Sequence, residues 1–171
     1  KHRYDAPVTG FLFTEKERER TIRRDMTDAF QVPVAFMHRL KKGEDFVTPD
    51  GEVIANCRLT MAPPAVRSYA YMTDTLFREC FAEHVKGVDL LYHESTYGNE
   101  FEDLAKETFH STAGQAARMA LLAEAKHLLL GHFSSRYPDP TPLLKQAREI
   151  FPNTDLCYDG AVFELPVAKR G

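Results

Sequence analysis

The sequence predicts an α/β fold built on a largely parallel sheet, and three observations carry that expectation. From Arg67 onward, short apolar runs alternate with segments of helical character in a β-α-β rhythm. The run Leu128-Leu129-Leu130 follows a helix-like stretch and stops at Gly131, as a parallel strand does when helices cover both its faces. Directly past it stand His132, Ser134, Ser135, Arg136 and Tyr137, and in open α/β sheets ligands gather beyond the carboxyl ends of the strands.

In chain order, Lys1-His2-Arg3 includes no initiator methionine and Val8 to Phe13 soon reads as a strand, so the chain is expected to start inside a fold. Glu15 to Arg24 carries five basic residues against three acidic, and Pro33 and the cluster His38-Arg39-Leu40-Lys41-Lys42-Gly43 follow. This stretch reads as an excursion from the core. It is either a solvated surface or an arm whose cations contact phosphates and release counterions from a nucleic acid. Pro49-Asp50-Gly51 marks a turn with Val53-Ile54 as the second arm of a hairpin. A strand is then expected from Arg67 through Tyr71, a loop at Asp74-Thr75, a helix from Leu76 to His84, and a strand from Val88 to Tyr92. An alanine-rich helix should span Thr112 to Glu124, with Ser111 or Thr112 as its cap. After the Leu128 strand come a helix from Pro142 to Ile150, a strand from Asp155 to Tyr158, a turn at Asp159-Gly160, and a return strand from Val162 to Leu165.

The 171 residues, 43% hydrophobic, suffice for one folded domain with one core. A net charge of −3 gives no global attraction to nucleic acid or to anionic membranes, so RNA binding would rest on local basic patches. No apolar stretch approaches a membrane span and no signal peptide opens the chain, which reads as cytoplasmic. Cys57, Cys80 and Cys157 are widely spaced and odd in number, so they are expected to be reduced and structural.

Three polar groups follow predicted strand ends: Asp74, the pair His93-Glu94, and His132. Adjacent parallel strands would bring them together. Carboxylate and imidazole suit a hydrolytic zinc or manganese site, and Asp74 offers a carboxylate able to bridge two cations. His110, with Ser111-Thr112 beside it, stands at the mouth of a helix, where a phosphate would meet the positive end of the dipole. Each group alone has an ordinary structural reading as a cap, a turn or a buried ion-pair partner. His38, His84 and His127 lack such placement and read as surface residues or as leading into a strand.

In this order, Lys1-His2-Arg3 leading to Thr9-Gly10-Phe11, Thr73-Asp74-Thr75, His93-Glu94-Ser95-Thr96, His110-Ser111-Thr112-Ala113 and Gly131-His132-Phe133-Ser134-Ser135-Arg136-Tyr137 strongly resemble the motifs of RNase Z, the 3′ tRNA-processing endonuclease of the metallo-β-lactamase fold. The resemblance is weakest between Thr14 and Asn56. It implies an αββα sandwich of which this chain is the second half, with an inserted arm over 15–56 and its flanking hairpin. It further implies that His2 ligates one zinc, Asp74 bridges two, and His132 ligates the other, with Mn(2+) an alternative metal. By the same resemblance, His110 would donate a proton to the departing ribose oxygen and Glu94 would orient it, while Ser134 and Arg136 would contact phosphate or brace their loop. Arg23, Arg24, Lys41 and Lys42 in the arm would grip precursor tRNA, commonly from the other subunit of a homodimer.

The family's His-x-His-x-Asp-His motif is absent from these residues, so the chain alone holds three of the expected ligands and is expected to be inactive by itself. Two other readings stay open: a phosphodiesterase of the same fold acting on other substrates, and a non-catalytic RNA-binding or dimerisation fragment.

Overall fold

The computed structural model describes residues 8–165, which divide into two units; His2, the expected first ligand, lies outside the described residues. In the first unit, β1 (Phe11–Thr14) starts later than the expected Val8, and the chain then leaves the sheet at Glu15.

The second unit, Glu15–Val66, runs on past Asn56. β2 (Thr21–Ile22) precedes the short helices α1 (Arg24–Ala29) and α2 (Met37–Lys41). A hairpin follows, pairing β3 (Phe46–Val47) with β4 (Val53–Ile54) across the expected Pro49-Asp50-Gly51 turn, where Gly51 takes φ +89°. Last come α3 (Asn56–Leu59) and β5 (Thr60–Met61), which pairs antiparallel with β2. This unit encloses its own small core of Val32, Leu40, Phe46, Ile54 and Leu59. Buried Asn56 ties it together: its amide nitrogen donates to the carbonyls of Leu40 and Glu44, each at 2.8 Å, and its Oδ1 accepts from Thr60 at 2.7 Å. A buried amide must be satisfied in this way to avoid a desolvation cost. The segment expected as an excursion is therefore a folded subunit of the chain.

The chain rejoins the first unit in β6 (Ser68–Met72), followed by β7 (Leu90–Glu94), α4 (Glu102–Thr108), α5 (Ala113–Leu122), β8 (Leu128–Gly131), α6 (Thr141–Arg148) and β9 (Thr154–Leu156). The sheet order is β1-β6-β7-β8-β9, with β1 antiparallel to β6 and every other pairing parallel. One face of the sheet, through Ala70, Met72, Leu91, Leu128 and Leu130, packs with Ala113, Ala116, Ala117 and Ala120 of α5 and with Leu143 and Ala147 of α6. The small alanine side chains let the helix sit close to the strands. Thr112 is the cap: its hydroxyl accepts from the Gln115 amide while the Gln115 side chain accepts from the Thr112 amide.

Strand alternation sends Phe11, Tyr71, Tyr92 and Leu129 to the opposite face in one register row and Phe13, Tyr69 and Leu90 in the next. Phe11 and Phe13 are half exposed there, and Tyr71 stacks on Tyr92 at 4.6 Å.

Several expectations are corrected. The segment from Leu76 to His84 is not an α-helix; only Glu79–Val85 coils, as a 3-10 turn. β7 reaches Glu94, so the His93-Glu94 pair ends the strand instead of following it. No return strand forms over Val162 to Leu165, and β9 stops at Leu156. The helix Glu102–Thr108 was not expected at all. Cys57 and Cys80 are exposed and Cys157 is partly buried; all three are free thiols.

Candidate functional site

Glu94 is the fixed point of the site. It ends β7 fully buried and accepts five hydrogen bonds, so its desolvated charge is met on every side. Oε1 takes the Thr75 amide at 2.7 Å and His110 Nδ1 at 2.9 Å. Oε2 takes the Thr96 hydroxyl at 2.6 Å, the Ser111 amide at 3.1 Å and the Thr96 amide at 3.3 Å. Burial alone would raise the carboxyl pKa, but the bonds from His110, Thr96 and Ser111 together outweigh it and hold the group below the ordinary carboxylate range.

His110 follows α4, whose C-terminal Phe109 adopts the left-handed backbone at φ +61°. That turn, closed by the His110 amide on the Ala105 carbonyl at 2.8 Å, delivers the imidazole to Glu94. The hydrogen bond to Glu94 raises the His110 pKa against the opposing effect of burial, and the charges of Glu94 and Asp74 push the same way. The carboxylate thereby strengthens the imidazole's hold on its proton.

Asp74 follows β6 and His132 follows β8, and both backbones are left-handed, at φ +49° and +57°. Such a conformation is uncommon for residues with side chains and turns each one sharply off its strand. His132 Nε2 lies 3.1 Å from Asp74 Oδ1, and the ring centroids of His110 and His132 are 5.4 Å apart. One ligand atom from each of Asp74, His110 and His132 falls within 4.8 Å of the others. Of these, the Asp74 oxygen and the His132 nitrogen are donors suited to zinc, with the His110 ring beside them.

The structure therefore brings together Asp74, Glu94, His110 and His132 at the carboxyl edge of β6, β7 and β8. His93 points elsewhere: it is fully buried, its Nδ1 is 2.7 Å from the Glu94 carbonyl oxygen, and burial lowers its pKa. At the start of α5, Tyr97 O, Asn99 Oδ1 and Thr112 Oγ1 accept the amides of Ala113, Gly114 and Gln115, so an anion there would meet the helix dipole and not these amides.

Ser134 braces its loop, donating its amide to Thr96 O at 3.1 Å, and the Arg136 guanidinium lies over the rings of Phe101 and Tyr97 at 4.7 and 5.4 Å. His127 leads into β8 and pairs with Asp155 at 2.8 Å, and His38 and His84 are exposed. Sequence reasoning missed Thr75, Thr96 and Ser111 as the donors around Glu94. The signal available was the uninterrupted polar run His93-Glu94-Ser95-Thr96 at the end of a buried strand.

In the second unit, Arg18, Arg20, Lys41 and Lys42 line a cavity of about 420 Å³ together with Glu17 and Glu19. Lys41 pairs with Glu19 at 3.4 Å, Arg23 with Asp25 at 3.6 Å, and Arg20 Nε donates to Thr60 at 2.7 Å; Arg24 is exposed.

No family model matches the chain. It is 51% identical over 159 residues to ribonuclease Z of Bacteroides fragilis, covering 93% of this chain and 52% of the relative. To ribonuclease Z of Parabacteroides distasonis it is 52% identical over 160 residues, covering 94% and 52%. The chain thus spans about half the length of the curated relatives it matches. Among solved structures, the metallo-β-lactamase fold protein YhfI from Bacillus subtilis aligns with a TM-score of 0.54 at 24% identity, over 57% of this chain and 40% of that one. The sheet with helices on one face accordingly has the α/β metallo-β-lactamase fold. Along nearly its whole length, the chain is similar in sequence to about half of the ribonuclease Z proteins.

Proposed function

We propose that this chain is the second half of a zinc-dependent endoribonuclease that removes the 3′ trailer from precursor tRNA in the cytoplasm. The observation that carries the reading is the coexistence, on adjacent strand ends, of the Asp74–His132 contact at 3.1 Å and the His110–Glu94 pair at 2.9 Å. In this reading one pair holds a cation and the other gives a proton, and together they suit hydrolysis of a phosphodiester. Asp74 and His132, with His2 and ligands from the other half, would hold two zinc ions. Bound zinc supplies an activated water and offsets charge on the phosphoryl oxygens.

The protein groups do the rest. Protonated His110, held by Glu94, gives its proton to the departing ribose oxygen as the phosphorus–oxygen bond breaks. The tRNA leaves with a 3′-hydroxyl and the trailer with a 5′-phosphate. Arg136, whose guanidinium lies over the rings of Phe101 and Tyr97, and Ser134 contact the substrate phosphate. The second unit is the arm, where Arg23, Arg24, Lys41 and Lys42 grip tRNA phosphates without reading sequence, presented across a homodimer. The aromatic face of Phe11, Phe13, Tyr69, Tyr71 and Tyr92 receives the other layer of the sandwich.

The test is cleavage of a precursor tRNA by the zinc-loaded full-length protein, with both product ends mapped. A single cut at the trailer leaving a 3′-hydroxyl on the tRNA is expected. A cyclic phosphate on the tRNA, or no cut, would refute the reading.

A further inference from the structure

We propose that Thr96 is a positioning residue that ties the proton-donating pair to the metal-ligand pair by fixing which ring nitrogen of His132 carries the proton. The inference rests on the reading of His132 as a ligand. Thr96 lies just past β7 and is buried, with 6% of its surface exposed. Its hydroxyl oxygen is 2.6 Å from Glu94 Oε2 and 3.0 Å from His132 Nδ1. A hydroxyl has one proton to give, so it donates to one of these neighbours only.

Glu94 decides which. Backbone amides can only donate, and three of them already point at its two oxygens, from Thr75, Thr96 and Ser111. The carboxylate is an acceptor, and the Thr96 proton goes to it. The Thr96 oxygen is then the acceptor for His132, which must carry its proton on Nδ1. A neutral imidazole protonated there keeps its lone pair on Nε2, the atom 3.1 Å from Asp74 Oδ1. Two electron-rich atoms facing each other at that separation repel unless positive charge joins them. One hydroxyl thereby presets His132 to accept a divalent cation, in the way outer partners orient metal-binding histidines, and does so through the same carboxylate that holds His110.

The test compares the parent full-length protein with Thr96→Val, which keeps the shape and removes the hydroxyl, and with Thr96→Ser, which keeps the hydroxyl. Zinc affinity is measured by competition with a chelating dye, and the His132 tautomer by long-range nitrogen–proton correlation in metal-free protein in alkaline solution. The expected result is about 10- to 100-fold weaker zinc binding in Thr96→Val, near-parental binding in Thr96→Ser, and an Nδ1 proton on His132 in the parent that is lost in Thr96→Val. Parental zinc affinity in Thr96→Val, or an Nε2-protonated His132 in the parent, would overturn the inference. If Thr96→Val does not fold, the parent tautomer and the Thr96→Ser affinity still decide. Failure of the ligand reading looks different: His132→Ala would bind zinc as the parent does, whatever the tautomer.

Discussion

Glu94 Oε1 lies 2.9 Å from His110 Nδ1, and the same carboxylate reaches the His132 loop through Thr96. A buried charge at the end of β7 is thus shared between the group proposed to give a proton and a residue proposed to hold metal. Removing either partner of the pair exposes what the other depends on.

For His110→Ala, zinc content should stay near the parent while precursor-tRNA cleavage slows by about 10²-fold or more, the usual scale for a lost general acid. An aryl phosphodiester, whose leaving group needs no proton, should be hydrolysed with a much smaller deficit. Equal deficits on both substrates would remove the proton-donor role, and loss of zinc would make His110 a ligand instead.

His132→Ala and Asp74→Ala should each lose zinc and activity together and leave the fold standing, because neither side chain belongs to the core. Metal analysis by mass spectrometry alongside circular dichroism checks this. Full zinc occupancy in both variants would rule out the assignment.

The pH dependence follows from the direction of two shifts. The His110 pKa is raised above its ordinary 6.5, so its contribution to stability is complete below about 6.5 and is lost as pH rises through the raised folded value. The Glu94 pKa is lowered, so its contribution is present above the ordinary carboxylate range and is lost as pH falls through the lowered folded value. Stability of the pair should therefore be greatest between these limits. In Glu94→Gln the alkaline limb of the rate profile should move to lower pH, and the amide, which must turn an NH₂ toward donors, should cost about 1–3 kcal/mol in denaturant unfolding. An unmoved alkaline limb would assign that limb to another group.

Gly131 has no room for a side chain: a Cβ there would strike the Tyr92 ring and hydroxyl. The ring is stacked on Tyr71 and cannot turn aside freely. Gly131→Ala should destabilise the protein by about 1–3 kcal/mol and weaken zinc binding through the adjacent His132. Chemical denaturation with a parallel zinc titration measures both effects, and parental values in both would show that the end of β8 yields easily.

Neutralising Arg18, Arg20, Arg23, Arg24, Lys41 and Lys42 should weaken precursor-tRNA binding and flatten its salt dependence, since each lost phosphate contact releases fewer counterions. A small phosphodiester should be hydrolysed at the parental rate. Unchanged salt slopes would leave these charges a role in solubility alone.

What could be read in advance followed from strong local signals. Leu128 to Leu130 ending at Gly131, the alanine-rich run after Thr112, and the turn at Pro49-Asp50-Gly51 each state their structure within a few residues. The gathering of Asp74, Glu94, His110 and His132 was also legible, because strand ends in a parallel sheet share an edge. The helices Arg24–Ala29 and Met37–Lys41 were not, since both are short and neither has a side-chain cap; they depend on packing around Leu40 and Ile54, which no local window reveals. The partners of the amides at the start of α5 were hidden for a similar reason, as Tyr97 and Asn99 reach them from elsewhere in the chain.

The insertion leaves the sheet after Thr14 and rejoins it before Ser68, and those two residues face each other in the antiparallel pairing of β1 with β6. To the sheet, everything from Glu15 to Arg67 is the loop of a hairpin. Lengthening such a loop is cheap, since each doubling adds only about 0.6 kcal/mol of closure entropy. A segment with its own core and neighbouring anchor points can be lengthened, shortened or exchanged while the strand edge that gathers Asp74, Glu94, His110 and His132 is left alone. Such an insertion should drift in sequence faster than the residues around Glu94.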